Sequence, residues 1–359
     1  MTSFFSRPVS IQDLPFWEQE SFENLFQPFK KTFESFLKDP ALCPLSVEKE
    51  ILYISDLFLK SSPSSPSDLK KFFETYFTPM ASINKDAGLL TGYYEITLRA
   101  SRTPSDRYYV PLYKPPQDLI FIADLGMYHP HLKGQRWAGH QGNDYQIHPY
   151  LTRHDIMKGA LQETPFLFLE DPISAFFLHV QGSGKISLED GSIIRVSYKA
   201  TNGHPYVSLG KTLQNQKILE EDPLTKETLE IYLRTLDTES LSETLALNPS
   251  YIFFDELPTL ADGPPGTFKE EVPLTPLRSL AADPLYIPLG LPVWLTAFDL
   301  NPKINLFFPR LVLAQDTGSA IKGPKRGDLF WGTGEEAGKN AGLLNNKADM
   351  VLFWPKKRF

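Results

Sequence analysis

Residues 310–342 read RLVLAQDTGSAIKGPKRGDLFWGTGEEAGKNAG, the densest glycine and polar punctuation in the chain. The run from Arg310 to Asp316 has the aliphatic and branched side chains of a strand and ends on an aspartate, in the tetrapeptide DTGS. A turn with Gly318 and Gly323 follows and carries Lys322; Asp328 then opens a second apolar run. Backbone flanked by glycines can approach a ligand closely, and loops held by rigid strands are where binding and catalytic groups concentrate. Read on their own, Asp316 and Asp328 are equally turn or cap residues, the ordinary role of aspartate beside glycine.

The same texture extends backwards to about Leu89. Short apolar or alternating runs are bounded by Gly, Pro and Asn: YYEITLRAS (93–101), YYVPLY (108–113), DLIFIAD (118–124), AFFLHVQG (175–182), IIRVSY (193–198), PVWLTAF (292–298) and DMVLFW (349–354). They predict strands of an antiparallel or mixed β system. Residues 103–150 read as an elaborated loop region, and Pro223 to Leu247 as a helical interlude. The first 75 or so residues differ. Trp17, Phe22, Leu25, Phe26, Phe29, Phe33, Phe36 and Leu37 recur at spacings of three and four, predicting one helical apolar stripe that Asp39 and Pro40 end. Val47 to Leu59 predicts a second helix. The SSPSSPSD loop (61–68) can cap a third, Leu69 to Phe77. The class is β-rich α+β, with helices gathered toward the N-terminus.

Composition removes several functions. A net charge of -7 with no basic stripe argues against nucleic acid as the main partner, because phosphate binding needs concentrated positive charge. A single cysteine, Cys43, excludes an intrachain disulfide. No stretch approaches the roughly 20 apolar residues of a membrane helix. Residues 1–19 show neither the charged nor the apolar segment of a secretory signal, and no lipobox precedes Cys43.

The seven histidines form no i, i+4 helical pair and there is no CxxC, so no metal site is expected. LGKT (209–212) lacks the leading glycine of a phosphate loop, and Gly332, Gly334 and Gly338 miss the dinucleotide spacing. DTGS invites an aspartic protease reading; that chemistry needs two carboxylates sharing a proton, and no second D-[ST]-G occurs, so an aspartic-protease-like hydrolase stays as the runner-up.

Seven blocks in order resemble the membrane-bound lytic transglycosylase A (MltA) family, over about 270 residues from Thr91 onward. They are TGYYE (91–95), TRHDIMKGAL (152–161), FFLHVQGSGKISLEDG (176–191), YKATNGHPYVSLGKTL (198–213), NPSYIFF (248–254), RSLAADPLYIPLGLPVWL (278–295) and the C-terminal AQDTGSAIKG…GDLFWGTGEEAGKNAG. The resemblance implies a double-psi β-barrel built from both chain ends, 1–101 and 256–359, with a smaller β domain, 102–255, inserted as the other wall of a substrate groove. It also implies a monomeric peptidoglycan lytic exotransglycosylase of the Gram-negative periplasm or outer membrane, associated peripherally, acting on glycan strands and needing no cofactor. Asp328 would be the general acid/base and Asp316 a supporting groove residue. Tyr93, Tyr94, Gln181, Ser183, Asn202, His204 and Lys322 are the candidate substrate contacts, with the Lys322 ammonium directed away from Asp328. Where the family more often has two glycines after the first aspartate, this chain has Gly318 and Ser319. A non-catalytic glycan-binding protein is the other class these blocks permit.

Overall fold

The computed structural model describes residues 4–44, 46–63, 65–84, 86–122, 124–132, 135–220, 224–257, 263–269, 271–304, 309–318 and 320–357. The chain divides into two compact units, Met1–Glu95 with Ala261–Phe359, and Ile96–Leu260. The first crossing falls within the strand Gly88–Ser101, between Glu95 and Ile96, rather than at 101/102. That strand pairs with Arg326–Thr333 through Glu95, and from Ile96 onward with Ser183–Leu188.

In the first unit six strands close on themselves. Asn345–Pro355 pairs antiparallel with Pro292–Ala297, which pairs antiparallel with Arg310–Asp316. Arg310–Asp316 lies parallel to Ser279–Ala282, which runs antiparallel to Arg326–Thr333. Arg326–Thr333 is parallel to the start of Gly88–Ser101, and this returns antiparallel to Asn345–Pro355. The result is a barrel drawn from both chain ends, with two parallel pairs. Phe77–Ser82 and Phe5–Pro8 extend one side.

Helices Phe26–Lys38, Glu48–Ser61 and Pro66–Tyr76 bury Phe29, Phe33, Phe36, Phe58, Phe72 and Phe73 in one core with Trp294 and Phe353. Each fully buried ring contributes about 1.5–3 kcal/mol. The third helix is capped as expected, by a Ser65–Asp68 capping box with Pro66 at the first position. The stripe beginning at Trp17 is not one helix. Phe16, Phe22 and Asn24 have positive φ, so Trp17–Gln19 forms only a 3-10 turn and the regular helix starts at Phe26.

The second unit pairs residues 96–101 with Ser183–Leu188, then Ile193–Thr201, then Ile252–Glu256. The expected loop region 103–150 contains the short strands Val110–Leu112, Ile120–Ile122, Trp137–Gln141 and Ile147–His148. AFFLHVQG, read as a strand, is the end of helix Pro172–Gln181. Asp171 accepts from Ile173 N and Ser174 N, Pro172 opens the helix, and Gly182 at φ 81° ends it, so the caps override the apolar run. The interlude after residue 223 is two helices, Lys226–Arg234 and Thr238–Ala246; Pro223 itself, Ser319 of the DTGS turn and the last two residues lie outside the described residues.

Candidate active site

Strand register brings the two aspartates to one row of the barrel. Ala281 is paired with Asp316 on one side and with Asp328 on the other, and Asp328 is in turn paired with Thr91. Asp316 ends its strand; Asp328 sits third in its own, after Arg326 and Gly327. Alternation places Arg326, Asp328 and Phe330 on one face and Gly327 and Leu329 on the other. Both aspartates are half-buried.

The two carboxylates are held differently. Asp316 Oδ1 accepts from Thr267 N at 3.0 Å and Thr317 N at 2.9 Å, and its Oδ2 accepts from the Tyr93 hydroxyl at 3.0 Å. Asp328 Oδ1 accepts from Thr91 Oγ1 at 2.6 Å. Among the described residues, Asp328 Oδ2 takes no hydrogen bond from the protein. Arg326 Nη2 donates to the same Thr91 Oγ1 at 2.8 Å, and its Nη1 donates to Gly327 O.

These surroundings move the proton affinities. Burial raises Asp328 from its ordinary 3.8 to about 6; the Thr91 hydrogen bond and the Arg326 charge oppose the rise, and Asp316 adds to it. Burial also raises Asp316 above its ordinary value, against hydrogen bonds from Thr267, Thr317 and Tyr93. Tyr93 is pushed well above 10, first by burial and then by the two aspartates, so it stays a neutral donor. At about 6, Asp328 holds its proton on roughly one molecule in ten at pH 7 and on most molecules at pH 5. A carboxyl poised there can both give and take a proton.

The other candidates divide by unit. Tyr93 lies against Phe330, ring centroids 5.3 Å apart, on the aspartate face. Tyr94, one residue on, points oppositely; it is buried, with its ring against Gly338 of helix Glu335–Leu343. Lys322 is exposed, and the cation acting on Asp328 is Arg326. In the second unit, Asn202 is buried and ties loops together, donating to Leu151 O and Pro249 O and accepting from Tyr251 N. His204 bonds Tyr150 O through Nε2 at 2.7 Å. Gln181 and Ser183 flank the turn at Gly182 and are half-buried.

The family model for the MltA specific insert domain matches residues 89–255, and that for the 3D domain matches 278–354. The crystal structure of a membrane-bound lytic murein transglycosylase from Agrobacterium tumefaciens superposes with a TM-score of 0.83 at 32% identity, covering 98% of each chain. The chain belongs to the MltA family. MltA from Neisseria gonorrhoeae, in its monoclinic form, gives a TM-score of 0.79 at 32% identity, over 98% of this chain and 93% of that one. Membrane-bound lytic murein transglycosylase A of Escherichia coli K12 is 30% identical over 71% of this chain, and the match spans 62% of that relative's length.

Two residues of the candidate site escaped the sequence reading. Thr91 begins the TGYYE block, but nothing local to that block indicates a partner 237 positions away. Arg326 was legible in principle: it stands two before Asp328, and in a strand that spacing puts both on one face.

Proposed function

We propose that the protein is a peptidoglycan lytic transglycosylase whose single general acid/base is Asp328. The carrying observation is the contrast between the carboxylates. Asp316 has both oxygens occupied by protein donors, whereas Asp328 has no protein donor on Oδ2 among the described residues and binds a proton with a pKa of about 6. An ordinary glycosidase needs two carboxyl groups, one to protonate the leaving oxygen and one to attack or to activate water. One suffices when the substrate supplies the nucleophile.

Asp328 gives its proton to the glycosidic oxygen between N-acetylmuramic acid and N-acetylglucosamine, and the bond from the anomeric carbon breaks. The C6 hydroxyl of the muramic acid attacks that carbon and closes a 1,6-anhydro ring. The carboxylate takes the hydroxyl proton and returns to its starting state. As a carboxylate, Asp316 lies near enough to raise the proton affinity of Asp328. Tyr93, fixed to Asp316, presents an aromatic face for a sugar ring.

The relatives' name, membrane-bound, supports a place in the Gram-negative envelope, at the outer membrane or in the periplasm. Among the described residues no helix is long and apolar enough to cross a membrane. The test is mass spectrometry of digested sacculi. We expect 1,6-anhydro muropeptides from the wild type and none from Asp328→Asn; reducing-end products, or near-normal turnover by the variant, overturn the proposal.

A further inference from the structure

We propose that Arg326 is a positioning residue for Asp328, acting through the hydroxyl of Thr91 to determine which carboxyl oxygen carries the transferable proton. The inference rests on Asp328 being the acid of the proposed reaction. A guanidinium has donors and no acceptor, whereas a threonine hydroxyl has one proton to give and lone pairs to receive with. At Thr91 Oγ1 the 2.8 Å contact from Arg326 Nη2 must therefore be a donation by the arginine. That fills one lone pair of the hydroxyl, whose single proton points along the 2.6 Å contact to Asp328 Oδ1.

With Oδ1 accepting from Thr91, a proton bound by Asp328 is favoured on Oδ2, the oxygen that no protein donor occupies among the described residues. Without Arg326 the hydroxyl can turn, accept from a protonated Oδ1, and divert the proton from a ligand. The arginine is itself held by its second nitrogen on Gly327 O and by strand pairing opposite Leu89.

The groups facing Asp328 come from three elements. Thr91 and Tyr93 belong to the strand Gly88–Ser101, Arg326 to its own strand, and Asp316 to the strand end beyond Ala281. Arg326 is the one cation among these groups. Its removal therefore also makes the carboxylate harder to form.

The test compares pH–rate profiles of the full chain on sacculi, scoring anhydro products, for the wild type, Arg326→Met, Arg326→Lys, Thr91→Val and the double variant Thr91→Val/Arg326→Met. Activity falls on the alkaline side as the acid loses its proton. For Arg326→Met we expect kcat to drop roughly 10- to 100-fold with KM within about twofold, as misplacement of a catalytic group does. The alkaline limb should move up by about one pH unit, as loss of a nearby cation requires. Arg326→Lys should hold the limb near the wild-type position and recover part of kcat. In the Thr91→Val background, Arg326→Met should cost less than about twofold more in kcat, because the hydroxyl it orients is gone.

An unmoved limb with unchanged kcat in Arg326→Met, or fully additive kcat losses in the double variant, overturns the inference. Thermal melts check folding, and Arg326→Gln reads the same limb if the methionine variant does not fold. Asp328→Asn separates the two claims: turnover by that variant defeats the functional proposal. An inactive Asp328→Asn beside an unchanged Arg326→Met defeats only the positioning role.

Discussion

The proton affinity of Asp328 is decided by four opposing influences: burial and Asp316 raise it, Thr91 and Arg326 lower it, and burial prevails at about 6. Ionising a group whose folded pKa is raised costs native stability. The cost is absent below the ordinary value of 3.8 and reaches full size once the pH exceeds about 6. Asp328→Asn removes the titration, so it should raise Tm between about pH 7 and 8, by the equivalent of on the order of 1–3 kcal/mol, and leave it unchanged near about pH 3.5. Calorimetry at the two pH values checks this, and an equal difference at both contradicts it. At this scale the sequence is legible in part. Both aspartates stand out beside glycines. Their different states do not, because Asp316 is saturated by Tyr93 and Thr267, 223 and 49 positions away.

Elements position these residues through what packs behind them. Thr91 and Tyr93 face the aspartates, while Gly92 between them faces helix Glu335–Leu343. A Cβ on Gly92 would lie 2.5 Å from Trp331 Nε1 and 2.8 Å from the Ala341 Cα, a backbone atom that cannot rotate aside. Gly92→Ala should therefore lower stability by about 1–3 kcal/mol, the usual cost of overpacking, and displace Thr91 enough to reduce turnover. Denaturant melts and the anhydro-product assay read the two effects, and a variant as stable and active as the wild type refutes this account of the glycine. Long periodic elements were legible: the helices after Glu48 and Pro66 begin within a few residues of their expected starts. Short apolar runs were not. AFFLHVQG fits a strand by hydrophobicity alone, and only the Asp171 cap and Pro172 before it reveal the helix.

Across the whole molecule, the order of the seven blocks conveyed the family, whereas barrel closure depends on contacts that no local pattern encodes. Near the barrel, the clearest of these joins residues 258 positions apart: Arg278 donates to Glu20 Oε2 at 3.1 Å and to Oε1 at 2.9 Å. Both side chains are buried, at 7% and 4% exposure. Glu20 also accepts from Leu311 N and Phe22 N, and Arg278 also donates to the carbonyls of Glu23 and Leu311. The clasp thus pins the segment before helix Phe26–Lys38 onto the strand Arg310–Asp316, which ends at Asp316. Burial alone would raise the Glu20 pKa, but Arg278 and the two backbone donors hold it below 4.5. A carboxylate with a depressed folded pKa stabilises the native state above its unfolded value, and that contribution is lost as the pH falls through the folded one. Arg278→Met should cost about 3–5 kcal/mol near neutral pH by leaving a buried carboxylate unpaired. The deficit should shrink near about pH 3, where Glu20 is protonated in both the variant and the unfolded chain. The double variant Glu20→Met/Arg278→Met should cost less than the sum of the two single ones, because neither charge is then stranded. Additive losses in denaturant melts, or a deficit that does not depend on pH, would mean that the clasp acts by packing rather than by charge.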